Sequence, residues 1–348
     1  MLVLHVIWIV AAVLVGCALV LWIALLGAHS LAKRADRMDA RWREAWMIRL
    51  LDVLDGTAPV GTLPVPASKG EMESVIGLLR EFGERFRGSY SNRMGSVLGQ
   101  IRADAFGLRL LRKRDRTQRL RGCALLAWCG DSAQVDDCLR RALDDRDPRV
   151  VLEAAAALVR RQAVDDINPL VRSLCRSGAA RSLLARDVMR QWGKGATGDW
   201  SALLTQQWPE DGWILLLEAA GSAARGDWTP WIARLVRHPS PSVVNAALAA
   251  LSASGDPDGS LAAELACHHD KETVREQAAR TLADCGDPNE ILPVLETMLL
   301  DPSFDVRRAA MDGILRLGGG KRLRGRVPAD HWQYELFNEA GLLAADPI

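Results

Sequence analysis

The feature that most constrains this chain is a repeat. From about residue 116 the sequence echoes itself, and four stretches align without gaps: 147–166, 240–259, 271–290 and 303–320. Each is anchored by a valine, at Val150, Val243, Val274 and Val306. Four residues on stands an alanine in every copy: Ala154, Ala247, Ala278 and Ala310. Eight residues on stands Leu158, Leu251, Leu282 or Ile314. Twelve residues on stands Gly255, Gly286 or Gly318, with Gln162 the exception. The anchor, +4 and +8 positions share one face of an α-helix. Three further copies take anchors at Gln118 (with Leu126 and Gly130), Arg181 (with Ala185, Met189 and Gly193) and Ile214 (ending at Gly226). The anchors are then separated by 32, 31, 33, 29, 31 and 32 residues. A period of about 31 predicts stacked helix pairs, because no single pair can bury its apolar face alone.

Local chemistry supports helix pairs. The small alanines permit close helix approach. The glycines predict helix ends in the left-handed conformation. Asp256-Pro257 and Asp287-Pro288 turn the chain and open the next helix. Shorter first helices are expected near Leu261–His268 and Ile291–Leu300. The run Asp301-Pro302-Ser303-Phe304-Asp305-Val306-Arg307-Arg308-Ala309-Ala310 resembles the HEAT-repeat family, and most of all its short variety, also found in phycobilin lyases. The resemblance spans residues 116–320. It implies an all-α fold, a right-handed α-solenoid of HEAT-like helix pairs. It also implies a binding scaffold or adaptor for another protein rather than an enzyme. The alternative it carries is a HEAT-like lyase or hydroxylase needing a bound cofactor or metal.

The N-terminus points to a membrane. Leu2 to Ala28 holds no Asp, Glu, Lys or Arg, which exceeds the ~20 apolar residues a spanning helix needs. Trp8 and Trp22 lie toward its ends. No basic residue precedes the run, and a cleaved signal would have a shorter core. Leu14-Val15-Gly16-Cys17 resembles a lipobox, but the apolar run continues past it. Ala12 and Gly16 have the spacing of a small-residue helix contact. Lys33, Arg34, Arg37, Arg41 and Arg43 follow, against Asp36 and Asp39. Positive flanks stay inside. The expectation is a single-pass protein of the inner (plasma) membrane with its N-terminus outside, a cytosolic repeat domain and a membrane-associated partner. The basic cluster would meet anionic lipid headgroups.

These readings divide the chain into a transmembrane helix (1–28), a basic juxtamembrane helix (29–55), a Pro/Gly linker (56–70), a helical N-terminal cap (71–115), the repeats (116–320) and a C-terminal cap (321–348). The juxtamembrane helix carries an apolar stripe, Met38, Trp42, Trp46, Leu50 and Val53. Ser68 and Glu71 form a capping-box pattern opening the first cap helix. Arg322, Arg324, Arg326, Trp332 and Phe337 mark the C-terminal cap.

Little in the sequence signals catalysis. The net charge of +1 gives no global attraction to nucleic acid. Seven scattered cysteines with no CxxC pair argue against a zinc site or disulfide scaffold and fit a reducing compartment. His268-His269-Asp270 sits at an expected turn, with too few other histidines to complete a metal set. Asp136-Asp137, Asp144-Asp145 and Asp165-Asp166 fall at helix ends, where aspartate caps. No nucleophile, P-loop or dinucleotide motif occurs. The expectation is therefore no catalytic residue, no cofactor and no metal. Two segments stand out as partner-binding candidates. Residues 108–122 carry seven Lys or Arg, among them Arg109, Arg112, Lys113, Arg114 and Arg116. Trp192, Trp200, Trp208, Trp213, Trp228 and Trp231 are half of the twelve tryptophans, and Trp is enriched at binding hot spots.

Overall fold

The computed structural model describes residues 2–85, 90–196, 200, 203, 206–223 and 226–320. Among these residues the regular structure is helical throughout. The chain forms two compact units. One is Met1–Lys113 with Trp128–Val135; the other is Arg114–Ala127 with Asp136–Ile348.

The first unit is built on α1, a single helix Leu2–Asp55. Its far end carries the expected apolar stripe into the core. Trp46, Leu50, Val53 and Leu54 are buried, and so are Met72, Val75, Leu78 and Leu79 of α2 (Lys69–Arg85). Met94, Val97 and Leu98 of α3 (Tyr90–Gln100) join them, and α4 (Ala103–Leu111) packs on α3. The capping box forms: Ser68 Oγ accepts from Glu71 N at 3.1 Å. Glu71 also ties the unit together, accepting from Ala67 N at 2.8 Å and from Trp46 Nε1 at 2.9 Å. Residues 56–68, within the Pro/Gly segment, are an ordered loop. They hold a 3₁₀ turn at Val60–Thr62 and bury Leu63, whose carbonyl accepts from Gln100 Nε2.

This corrects the membrane reading. Among the described residues no helix is long and apolar enough to cross a membrane. The charge-free stretch is not an element of its own. It is the leading part of one helix that goes on to carry Lys33, Arg37, Arg41, Arg43 and Arg49 and ends inside a protein core. The single-pass anchor, the outside N-terminus and the inner-membrane localisation with a cytosolic repeat domain are withdrawn. Of the proposed membrane-surface set, Lys33, Arg37 and Arg41 are exposed. Arg43 turns to Asp39 at 3.1 Å and Glu81 at 2.9 Å. The side chains of Arg34, Cys17 and Ala12 lie outside the described residues, as does the C-terminal segment 321–348.

The second unit is the repeat. Among the described residues, seven long helices stack in order: α5 (Arg116–Leu126), α7 (Pro148–Arg160), α9 (Leu183–Gly195), α10 (Glu210–Ala223), α12 (Pro241–Ser254), α14 (Glu272–Cys285) and α16 (Phe304–Arg316). Shorter helices lie between them at every step but that from α9 to α10: α6 (Ala133–Ala142, in this unit from Asp136 on), α8 (Asn168–Ser177), α11 (Thr229–Leu235), α13 (Ser260–Ala266) and α15 (Pro288–Met298), among the described residues. Gln118, Val150, Val243, Val274 and Val306 are each the third residue of their helix. That rule corrects the two weakest anchors. The third residues of α9 and α10 are Ala185 and Gly212, not Arg181 and Ile214. The successive steps are therefore 32, 35, 27, 31, 31 and 32.

The glycine at +12 has no single cause. Gly255 and Gly318 take the expected left-handed conformation, with φ of 62° and 75°. Gly286 does not, with φ at −88°; an added Cβ would lie 2.0 Å from Ile291 Cγ1, so this glycine makes room. Gly193, reassigned by the corrected anchor, stands at +8 on the buried stripe. Gln162 occupies the left-handed conformation itself, with φ of 56°. Its neighbour Ala163 donates to Leu158 O at 3.0 Å, as Gly319 does to Ile314 O at 2.8 Å. A side chain in that conformation costs energy that glycine avoids. Gln162→Gly is therefore expected to raise the stability of the chain by about 0.5–1 kcal/mol, read from the midpoint of urea unfolding.

Candidate functional site

The polar side chains of the second unit follow the repeat. Three residues before a long helix stands an acceptor that caps the turn. Asp145 accepts from Asp147 N, His238 Nδ1 from Ser240 N, His269 Nδ1 from Lys271 N and Asp301 from Ser303 N, at 2.9, 3.1, 3.0 and 2.8 Å. His269 thus serves as a turn cap, which accounts for half of the His268-His269 pair. Just after the anchor, four copies carry arginine: Arg119, Arg186, Arg275 and Arg307; Arg186 lies 3.9 Å from Glu218 of the next long helix. Arg119 grips Asp145 of the next repeat through two bonds at 2.7 and 3.1 Å. Arg275 grips Asp301 in the same way at 2.7 and 2.9 Å. Each also clasps the turn behind it, Arg119 at Arg114 O and Arg275 at His269 O and Asp270 O. Arg307 holds Asp301 O and Pro302 O. Where histidine fills the capping slot, the facing slot of the previous repeat is apolar: Trp213 before His238, and Val244 before His269.

These pairs set the local electrostatics. Hydrogen bonding to Asp301 raises the Arg275 pKa, outweighing burial, which lowers it. Burial pushes the Asp301 carboxyl up, but hydrogen bonds from Arg275 and Ser303 N outweigh it and hold the group below the usual range. The other aspartate pairs have similar structural partners. Asp136 receives Arg161 Nε at 2.7 Å, Asp137 pairs with Arg140, Asp144 with Arg176, and Asp166 caps Asn168 N. Burial alone raises Glu153, with Arg160 opposing. Burial likewise drives Cys123 and Cys267 to about 12, and Cys175 and Cys285 to about 11. These thiols stay protonated at neutral pH and are poor nucleophiles. Among the described residues no group of three or more His, Cys, Asp or Glu could hold a metal ion.

The tryptophans are brought together, but inward. Trp200, Trp208, Trp213 and Trp228 are buried, and Trp192 and Trp231 are half-buried. Trp200 stacks on Trp192 at 4.7 Å and on Trp228 at 4.0 Å between ring centroids. Trp213 lies 6.3 Å from Trp231, and Arg172 sits over Trp208 at 4.9 Å. Trp208 Nε1 donates to Leu203 O, and Trp192 Nε1 to Val164 O. These rings fill the interior where the helix spacing departs from 31. The basic run falls on the division between the units. Arg109, Arg112 and Lys113 belong to the first and Arg114 and Arg116 to the second; all five are exposed. Arg109 lies 5.8 Å from the Phe106 ring, and Arg116 is 3.5 Å from Asp147.

A different surface, with no repeat signature in the sequence, lies along the shorter helices. Leu261 and Leu265 on α13, and Leu300 just after α15, are 71 %, 58 % and 71 % exposed. A groove of about 450 Å³ runs between these two helices, lined by Glu264, His268, Pro293, Val294 and Thr297 among others. The outward positions 261, 264, 265 and 268 could have been read as a second stripe at helical spacing, opposite the buried one.

No family model matches the chain, and no curated protein matches it. Among solved structures, a designed armadillo repeat protein is similar at 16% identity and a TM-score of 0.32, over 61% of this chain and 98% of the other. An engineered protein solved by a structural genomics consortium is similar at 17% identity and a TM-score of 0.34, over 78% of this chain and 84% of the other. Likenesses that low carry no argument, so the architecture rests on the helices themselves. By those helices the second unit is a helical repeat array.

Proposed function

We propose that this chain is a protein-binding scaffold built on short HEAT-like helix pairs, and that it has no catalytic activity of its own. One observation carries the reading: Leu261 and Leu265 on α13 and Leu300 just after α15 face solvent, while the ion pairs and caps serve the turns between repeats. Exposed apolar positions clustered beside a groove mark surfaces that other proteins cover. Repeat arrays supply long surfaces of this kind, and the chemistry of each site, not the fold, decides what it binds.

The test is affinity capture of the full chain after mild crosslinking in its native cell, with partners identified by mass spectrometry. The expected result is one protein retained in near-equal amount, and lost when Leu261 and Leu265 are both replaced by serine. Purified chain that holds a metal or an absorbing chromophore and turns over a substrate would overturn the proposal and favour the lyase or hydroxylase alternative.

A further inference from the structure

We infer that the groove between α13 and α15 takes a basic amphipathic helix from a partner protein. This rests on the scaffold reading and specifies the partner's chemistry. Three features of the groove converge on that occupant.

The first is shape. On α13 the residues Leu261, Glu264, Leu265 and His268 follow the i, i+3, i+4, i+7 spacing of one helical face, and that face is turned outward. On α15 the exposed residues Glu290, Pro293 and Thr297 do the same, and Leu300 continues them. Two outward ridges with a groove of about 450 Å³ between them form a cradle for a third helix. Recognition of this kind reads apolar anchors at helical spacing.

The second is apolarity. Leu300 lines the groove with Pro293, Val294 and Met298, and Leu261 and Leu265 stand exposed beside it on the outward face of α13. Leucines left in water beside such a wall gain when a partner's apolar face covers them.

The third is charge. The sequence contains no Lys or Arg from 241 to 270, and none from 281 to 305. Both groove helices lie in those windows, and the turn after α13 closes on the exposed Lys271. The exposed charges on the two helices are acidic: Glu264, which lines the groove, and Glu290 one turn before Pro293 and Val294 of its wall. The long helices beside them differ, since α14 carries Arg275 and Arg280 and α16 carries Arg307, Arg308 and Arg316. A partner helix with leucines on one face and lysines at its edges satisfies both the groove floor and its acidic rim.

The probe is a fluorescein-labelled peptide of about 14 residues, or roughly 21 Å as a helix, made of leucine and lysine and ordered to give one apolar face. Two control peptides accompany it: one of the same composition in scrambled order, and one with glutamate for every lysine. Binding to the full-length chain is followed by fluorescence anisotropy. The ordered Leu/Lys peptide is expected to bind at least about tenfold more tightly than either control. Leu261→Ser with Leu265→Ser should weaken it about tenfold, as should Glu264→Lys with Glu290→Lys. All four positions are exposed, so the variants should fold as the parent does, checked by circular dichroism. The charge-reversed variant should in turn prefer the glutamate peptide, a gain that a merely damaged protein would not give. Equal binding of ordered and scrambled peptides, or indifference to both double variants, overturns the inference. If crosslinking still retains a stoichiometric partner in the leucine double variant, the scaffold stands and this groove falls. If neither peptide nor partner binds, both fall.

Discussion

Replacing Gly193 with alanine is expected to destabilise the second unit by about 3 kcal/mol, at the upper end for overpacking. A Cβ built there lies 2.1 Å from Ala219 O, 2.8 Å from its carbonyl carbon and 3.0 Å from its Cα. All three are backbone atoms of α10, so no side chain can rotate away. Relief requires α9 and α10 to separate, and separation strips dispersion contacts along the whole interface. Gly195 is the control. It lies in the same helix with nothing within 4 Å of its Cβ position, and alanine is the better helix former. Gly195→Ala should stay within about 0.5 kcal/mol of the parent. Urea unfolding followed by circular dichroism measures both. A Gly193→Ala protein as stable as the Gly195→Ala protein would show that the two helices do not meet at Gly193.

The second large effect lies at Arg275. Arg275→Met should cost about 3 kcal/mol, because it leaves the Asp301 carboxylate without its forked partner in a site where little water reaches it. The two side chains are 15 % and 10 % exposed. Arg275→Met combined with Asp301→Asn should recover part of that loss, since no uncompensated charge then remains. The pH dependence has a definite sign. Asp301 is held below its ordinary range in the folded chain. Its contribution is fully present above the unfolded carboxylate value of about 4 and is lost as pH falls through the folded one. The parent should therefore lose stability in acid faster than Arg275→Met, and the two curves should converge. Parallel curves down to pH 2 would mean that the pair contributes nothing to folding.

The architecture was legible from the start because it depends on periodic burial. Val150, Ala154 and Leu158 announce a helix face, and the same triplet returns at 243 and 274 and, with isoleucine last, at 306. Register failed only at Arg181 and Ile214, where the step lengthens to 35 and then shortens to 27. There the tryptophans take over the filling, and a reading that asked for alanine and leucine could not fix the frame. The same bulk made those tryptophans resemble a presented surface, although their size is used inside. Glycine misled in another way, since one letter serves helix ends at 255 and 318 and close approach at 193 and 286. The ladder from Arg119 to Asp145 and from Arg275 to Asp301 was visible as spacing, but its meaning needs two repeats side by side. At the N-terminus, the stripe Met38, Trp42, Trp46, Leu50 and Val53 on a helix continuing from the apolar stretch suits a packed helix and an interfacial one equally, and the burial of Trp46, Leu50 and Val53 decides for packing.

The stack from α5 to α16 packs each long helix on its sequence neighbours. Most of its contacts therefore close loops of about one repeat, which is a low contact order and favours rapid folding. Such a chain behaves as a row of coupled switches. Order can start at any helix pair and spread both ways, including while the rest is still being synthesised. The weakest coupling then sets where the row divides. A bulky residue at 193 would place that division between α9 and α10, and the chain should melt in two steps, one from each side.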